Sequence, residues 1–204
     1  MPDAPLVWID CEMTGLDLTT DALIEVACIV TDADLHPLGE GVSVVIKPPK
    51  DAVEVMTDFV RQMHVKSGLL PELDGGLTME DAQQLLIDYI SAQVKGSRPP
   101  LAGNTVGMDK AFLDRDMPEL MDLLHYRVVD VSSIKELVRR WYPRVFFNSP
   151  EKTGGHRALG DIADSIQELR YYREAIFAPQ PGPDSDTAKA AAAAVTEAHP
   201  DPSA

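Results

Sequence analysis

Three runs rich in valine and isoleucine open the chain, PLVWID, ALIEVACIVTD and GVSVVIKP, with Gly, Asp and Pro signals between them. They predict three consecutive strands, neighbours in an antiparallel arrangement. The next stretch, AVEVMTDFVRQMHVKSGLL, predicts short helices ending near Ser67–Gly68. In TMEDAQQLLIDYISAQV, Thr78 reads as an N-cap with Asp81 three places on, and Leu85, Leu86, Tyr89, Ile90 and Val94 recur at helical spacing. RPPLAGN predicts a short fourth strand, MDKAFLDRDMPELMDLL a helix interrupted near Pro118, and YRVVDVSS a fifth strand. A helix from about Ser132 to Tyr142, a loop PRVFFNSPEKTGGH, and a long helix from about Arg157 to Phe177 follow. Strands first, then strands alternating with helices, predict an α/β domain over residues 1–177 with a mixed five-stranded central sheet flanked by helices. From about residue 178 to 204, Pro, Ala, Ser and acidic residues leave little to bury, which predicts a disordered tail.

One strand breaks its apolar pattern. In VWIDCEMTGLD, Asp10 and Glu12 lie two apart, on the same face of an extended chain. Two like charges in a low-dielectric place repel and lose hydration, so something positive is expected beside them. An Arg or Lys from elsewhere would answer them as an ordinary ion pair; a metal ion would answer them as ligands.

Composition narrows the choice only in part. At 204 residues and 45% hydrophobic content the chain suits one domain with a substantial core. With no apolar run long enough to cross a bilayer and two cysteines, Cys11 and Cys28, in strand-like segments without metal-ligand spacing, a cytoplasmic protein with buried thiols is expected. The formal net charge of −15 argues against a grip on many phosphates of a long or duplex nucleic acid.

Three further positions complete a constellation. Asp109 stands in GNTVGMDKAFL near a helix start, and His156 and Asp161 stand in GGHRALGDIADSIQELRYY, the His just outside the helix after Gly154–Gly155 and the Asp in its first turns. Singly, each has an ordinary structural reading as a helix-terminus acid or a loop histidine. In order and context the five residues resemble the DEDDh branch of the DnaQ-like 3′–5′ exonucleases: Asp-x-Glu on the first strand, a central Asp, and a His five places before a final Asp. The resemblance covers roughly residues 5 to 177 and extends to YRVVDVSSIKEL, as in branch members that degrade very short oligoribonucleotides. Gly160 stands where the family leads one to expect an acid.

The resemblance implies an RNase H-like fold and a metal-dependent exoribonuclease that releases 5′-nucleoside monophosphates. Asp10, Glu12, Asp109 and Asp161 would hold two divalent cations, Mg²⁺ or Mn²⁺, and His156 would be the general base, a task suited to imidazole. It further implies that Leu16 wedges between two bases, that His64 stacks on the substrate, that Thr105, Arg127 and Ser132 cap the 5′ phosphate, and that Tyr126 is lent to a second subunit of a homodimer. Core packing is the ordinary alternative for Leu16 and Tyr126. A sister exonuclease that cleaves longer strands and a non-catalytic binding module remain the competing functions.

Overall fold

The computed structural model describes residues 4–152 and 155–199; Gly154 and the last residues of the tail lie outside them. The sheet contains β1 (Leu6–Met13), β2 (Leu23–Thr31), β3 (Val42–Val45), β4 (Pro100–Gly103) and β5 (His125–Asp130) in the order β3-β2-β1-β4-β5. β1, β2 and β3 pair antiparallel, while β4 and β5 join parallel to β1 and to each other, which makes the sheet mixed. Parallel strands need crossovers, and the helices supply them. α1 (Lys50–Glu54), α2 (Asp58–Lys66), a 3₁₀ helix at Leu70–Gly75 and α3 (Met79–Val94) lead into β4, and α4 (Gly107–Asp116) with α5 (Pro118–Asp122) lead into β5. The break between α4 and α5 falls at Pro118, which begins α5 in its first turn, where a missing N–H costs nothing.

After β5 come α6 (Val131–Trp141), α7 (Pro143–Phe147) and α8 (Ala158–Ile176). α7 occupies part of the segment expected to be loop: Pro143 starts a single helical run too short to show a periodicity. A further helix, α9 (Ser185–Ala198), stands where the composition predicts disorder. Asp184 caps it through the Thr187 amide at 2.8 Å, alanine has the highest helix propensity, and none of its residues is buried.

Strand alternation sorts β1 between two cores. Val7, Ile9 and Cys11 pack with Leu86, Ile90 and Val94 of α3 and Phe112 and Leu113 of α4. Trp8 faces the other way, into a cluster with Val131 and Val138 of α6 and Ile162, Ile166 and Tyr172 of α8. With helices on both sides, β2 is buried at all nine positions. Asp10 and Glu12 continue the Trp8 face of β1, so they emerge on the side that α8 covers. Among the described residues, no helix is long and apolar enough to cross a membrane.

Candidate active site

The acidic pair sits at the carboxyl end of β1, the edge of a sheet where α/β proteins bind ligands. Asp161, in the first turn of α8, meets it: one ligand atom from each of Asp10, Glu12 and Asp161 lies within 4.8 Å of the others. Asp109 arrives from α4 and is buried, its Oδ1 accepting the Cys11 amide at 3.0 Å. It thus bonds to the strand between Asp10 and Glu12 rather than joining the close trio.

These groups line one cleft of about 570 Å³, together with Thr105, Ser132 and His156. His156 is exposed and has φ +59°, after Gly155 at +75°; this left-handed turn precedes the helix that carries Asp161. Asp130 Oδ1 accepts the Thr105 amide at 2.9 Å and both the Ser132 amide and hydroxyl, at 2.8 and 2.6 Å, so one carboxylate ties Thr105 to Ser132.

Leu16 is 64% exposed, which rules out core packing. It lines a neighbouring pocket of about 420 Å³ with Thr14, Val55, Thr57 and Val60. The turn that presents it is fixed by Asp21, whose carboxylate accepts the Thr14 hydroxyl and the Asp17 amide, each at 2.9 Å. Gly15 is needed there, since a Cβ would collide with the Asp21 carboxyl group.

Besides Leu16, three expected site residues are not in the cleft. His64, expected to stack on a substrate, is fully buried: its Nε2 is 2.9 Å from the Met13 carbonyl, and its Nδ1 faces Glu12 Oε2 at 3.9 Å. Held against the end of β1, its ring offers no face for a base. Arg127 is exposed on β5, its guanidinium 5.6 Å from the centre of the Tyr126 ring, and is not among the residues lining the cleft. Tyr126 itself is 77% exposed on this edge strand, so it too is free of the core. Conversely, the cleft contains Asn104, Lys135, Lys152 and Ser165, which motif reading missed. Ser165 is four residues beyond Asp161, on the same helix face, and that spacing was its one available signal.

A family model described as Exonuclease, RNase_T, matches residues 7–169. The oligoribonuclease of Streptomyces coelicolor is 65% identical over 189 residues, 92% of this chain and 94% of its own. The chain belongs to the oligoribonuclease family. Oligoribonucleases of Cutibacterium acnes and of a Mycobacterium species are 61% and 53% identical, over 88% and 92% of this chain and 90% and 88% of theirs. Among solved structures, exonuclease I of Methylocaldum szegediense has a TM-score of 0.63 at 21% identity, covering 85% of this chain and 41% of that one. Escherichia coli exonuclease I in complex with an oligonucleotide has a TM-score of 0.65 at 14% identity, covering 85% and 41%. The chain therefore spans about two fifths of exonuclease I, and the likeness carries the RNase H-like fold.

For an oligoribonuclease-family chain, the exonuclease match and the acidic trio together point to divalent metal. The donor set suits hard cations, being all carboxylate oxygen. Its electrostatics say the same. Burial, then repulsion by Asp109 and Asp161, pushes Asp10 up to about 8. Glu12 likewise rises to about 8, from burial first and then from Asp161 and Glu25. Burial lifts Asp109 to about 6 and raises Asp161 as well. Carboxylates this reluctant to ionise together are stabilised as anions by a bound dication.

Proposed function

We propose that the chain is a 3′-to-5′ exoribonuclease that hydrolyses very short oligoribonucleotides, dinucleotides especially, to 5′-nucleoside monophosphates, completing RNA degradation. The observation that carries this reading is one cleft in which Asp10, Glu12 and Asp161 converge with His156, in a chain 65% identical to an oligoribonuclease.

Asp10, Glu12, Asp109 and Asp161 would hold two divalent ions, Mg²⁺ or Mn²⁺, which when bound supply Lewis acidity to the scissile phosphate. His156 takes the proton of the attacking water, and its exposure lets it pass that proton to solvent. Leu16 and its apolar pocket receive bases without reading their edges, which suits a general scavenger. Thr105 and Ser132 at the cleft, and Arg127 beyond it, take the 5′ phosphate. Tyr126 stands on an edge strand, where a second copy can meet it, so we read the active form as a homodimer. Free thiols at Cys11 and Cys28 suit the reducing cytoplasm as the place of action.

A site that holds one short substrate tolerates the net charge of −15, which would repel a long strand carrying many phosphates. Turnover of a dinucleotide and of a long single-stranded RNA, with wild-type protein and with Asp109→Asn, tests the reading. The dinucleotide is expected to be hydrolysed far faster, with activity lost in Asp109→Asn and in excess chelator. Equal degradation of the long strand overturns the substrate assignment; activity that survives chelation overturns the metal mechanism.

A further inference from the structure

The cations of the catalytic cleft are already matched: Lys135 and Lys152 both pair with the buried carboxylate of Glu168, at 2.9 and 3.4 Å. A second cavity, of about 520 Å³, holds cations that are not. It opens between the end of β3, α1, α2 and the 3₁₀ helix, and it shares no residue with the cleft or with the Leu16 pocket. Lys47, Lys50 and Arg61 line it, against two acids, Glu54 and Asp74. None of these three cations has an ion pair among the described residues. Lys47 Nζ donates to the Asp74 carbonyl at 3.2 Å, and the half-buried Arg61 guanidinium donates to the Val53 carbonyl. A neutral carbonyl orients a cation without cancelling its charge, and each group keeps further N–H donors. In a chain of net charge −15, this wall carries a local surplus of positive charge.

The rest of the lining includes an apolar patch, Val53, Leu70 and Leu73. Leu73 is buried in a small cluster with Ile24 and Leu69, and Val53 and Leu70 pack against it, so the patch is backed by core. A ligand that satisfies both halves has a flat apolar plate and a compact anion. A phosphate monoester carries a charge of about −1.5 to −2 at neutral pH and offers three acceptor oxygens to the cations. A nucleobase covers the leucines and keeps them from water. The volume suits one small molecule rather than a strand.

We propose that this cavity is a second, non-catalytic site that binds a nucleoside 5′-monophosphate. The choice of ligand, though not the cavity, rests on the exoribonuclease reading above, which makes that molecule the chain's own product. Both walls lead back to the cleft. Arg61 stands one turn before His64 on α2, and the His64 ring meets the Met13 carbonyl and faces Glu12. Glu72, between Leu70 and Leu73 on the 3₁₀ helix, accepts the Arg157 guanidinium at 3.1 Å, at the start of the helix that carries Asp161. A nucleotide held here lies against the two elements that abut Glu12 and tether Asp161.

The test is calorimetric titration of adenosine 5′-monophosphate into the full chain in excess chelator, where the metal-free carboxylates of the cleft repel a phosphate. Wild-type protein is expected to bind one nucleotide per chain, and Lys47→Glu Lys50→Glu to bind it at least about tenfold more weakly while hydrolysing a dinucleotide with Mg²⁺ within about twofold of wild type. Lys50→Gln, at an exposed side chain, weakens binding in the same direction and covers a failure of the double variant to fold. Adenosine and inorganic phosphate, each half of the ligand, should bind at least about tenfold more weakly than the nucleotide. No binding by wild type, or unchanged affinity in both variants, overturns the site. Inorganic phosphate that binds as tightly as the nucleotide overturns the choice of ligand. Wild-type protein that binds the nucleotide but hydrolyses no dinucleotide supports the site and overturns the exoribonuclease reading.

Discussion

Arg157 lays its guanidinium against the buried carboxylate of Glu25, with Nε at 3.2 Å from both oxygens and Nη2 at 3.0 Å from Oε1. Glu25 stands opposite Glu12 in the β1–β2 register and also accepts the Ala158 amide at 3.3 Å. The guanidinium continues to Glu72 at 3.1 Å. One strand residue thus pins the start of the helix that carries Asp161, next to His156. Arg157→Ala is expected to lower kcat on a dinucleotide by about 10- to 100-fold while leaving KM nearly unchanged, because it misplaces reacting groups without touching the bases. Steady-state kinetics separates the two parameters, and Arg157→Lys should fall between, having lost the fork.

His156→Ala removes the proposed proton acceptor but leaves the carboxylates and the base pocket in place. Turnover is expected to fall by about 10²- to 10⁴-fold, with dinucleotide affinity retained in a binding assay. An equal fall in affinity would make the residue a binding group.

The raised carboxylates fix the sign of a pH effect. Asp10 and Glu12, at about 8 in the folded metal-free chain, hold protons more tightly than they do unfolded. Their contribution to stability is complete below the unfolded value near 4 and is lost as pH rises through about 8. In chelator, the Tm of the wild type should therefore fall relative to an Asp10→Asn Glu12→Gln variant between about pH 5 and pH 8. Added Mg²⁺ or Mn²⁺ should raise the wild-type Tm more at the upper end, where fewer protons compete. Thermal melts across this range check both.

Leu16→Ala should leave Tm unchanged, since the side chain is 64% exposed. The expected effect is on substrate, with KM for a dinucleotide raised about tenfold by the loss of an apolar surface against a base. Unchanged kinetics would return Leu16 to the role of a surface turn residue.

Truncation after Ala178 should leave kcat/KM within about twofold of the full chain, because α9 buries none of its residues. A large loss, measured on a dinucleotide, would give the tail a part in the site.

The sequence revealed the acidic centre because charge inside an apolar strand is a local contradiction. Asp10 and Glu12 stand out against Val7, Trp8 and Ile9, and helical spacing put Asp161 on the first turns of the helix that meets them. Lys135, Lys152 and Glu168 gave no such signal. Each is unremarkable within its own segment, and their ion pairs join a helix, a loop and another helix across the fold. The burial of His64 was hidden for the same reason: its ring meets the Met13 carbonyl, 51 residues away in sequence. Exposure was equally illegible, since a leucine in a turn and a tyrosine on a strand look like core until their neighbours are placed.

Cys11, whose amide holds Asp109, places a thiol between Asp10 and Glu12 on the strand. Burial, and then the charges of Asp109 and Asp10, keep that thiol protonated far into the alkaline range. Peroxide and alkylating reagents attack the thiolate, so they find almost nothing to react with here. The Cys11 thiol is thus shielded where it stands, packed into the core beneath the acidic pair.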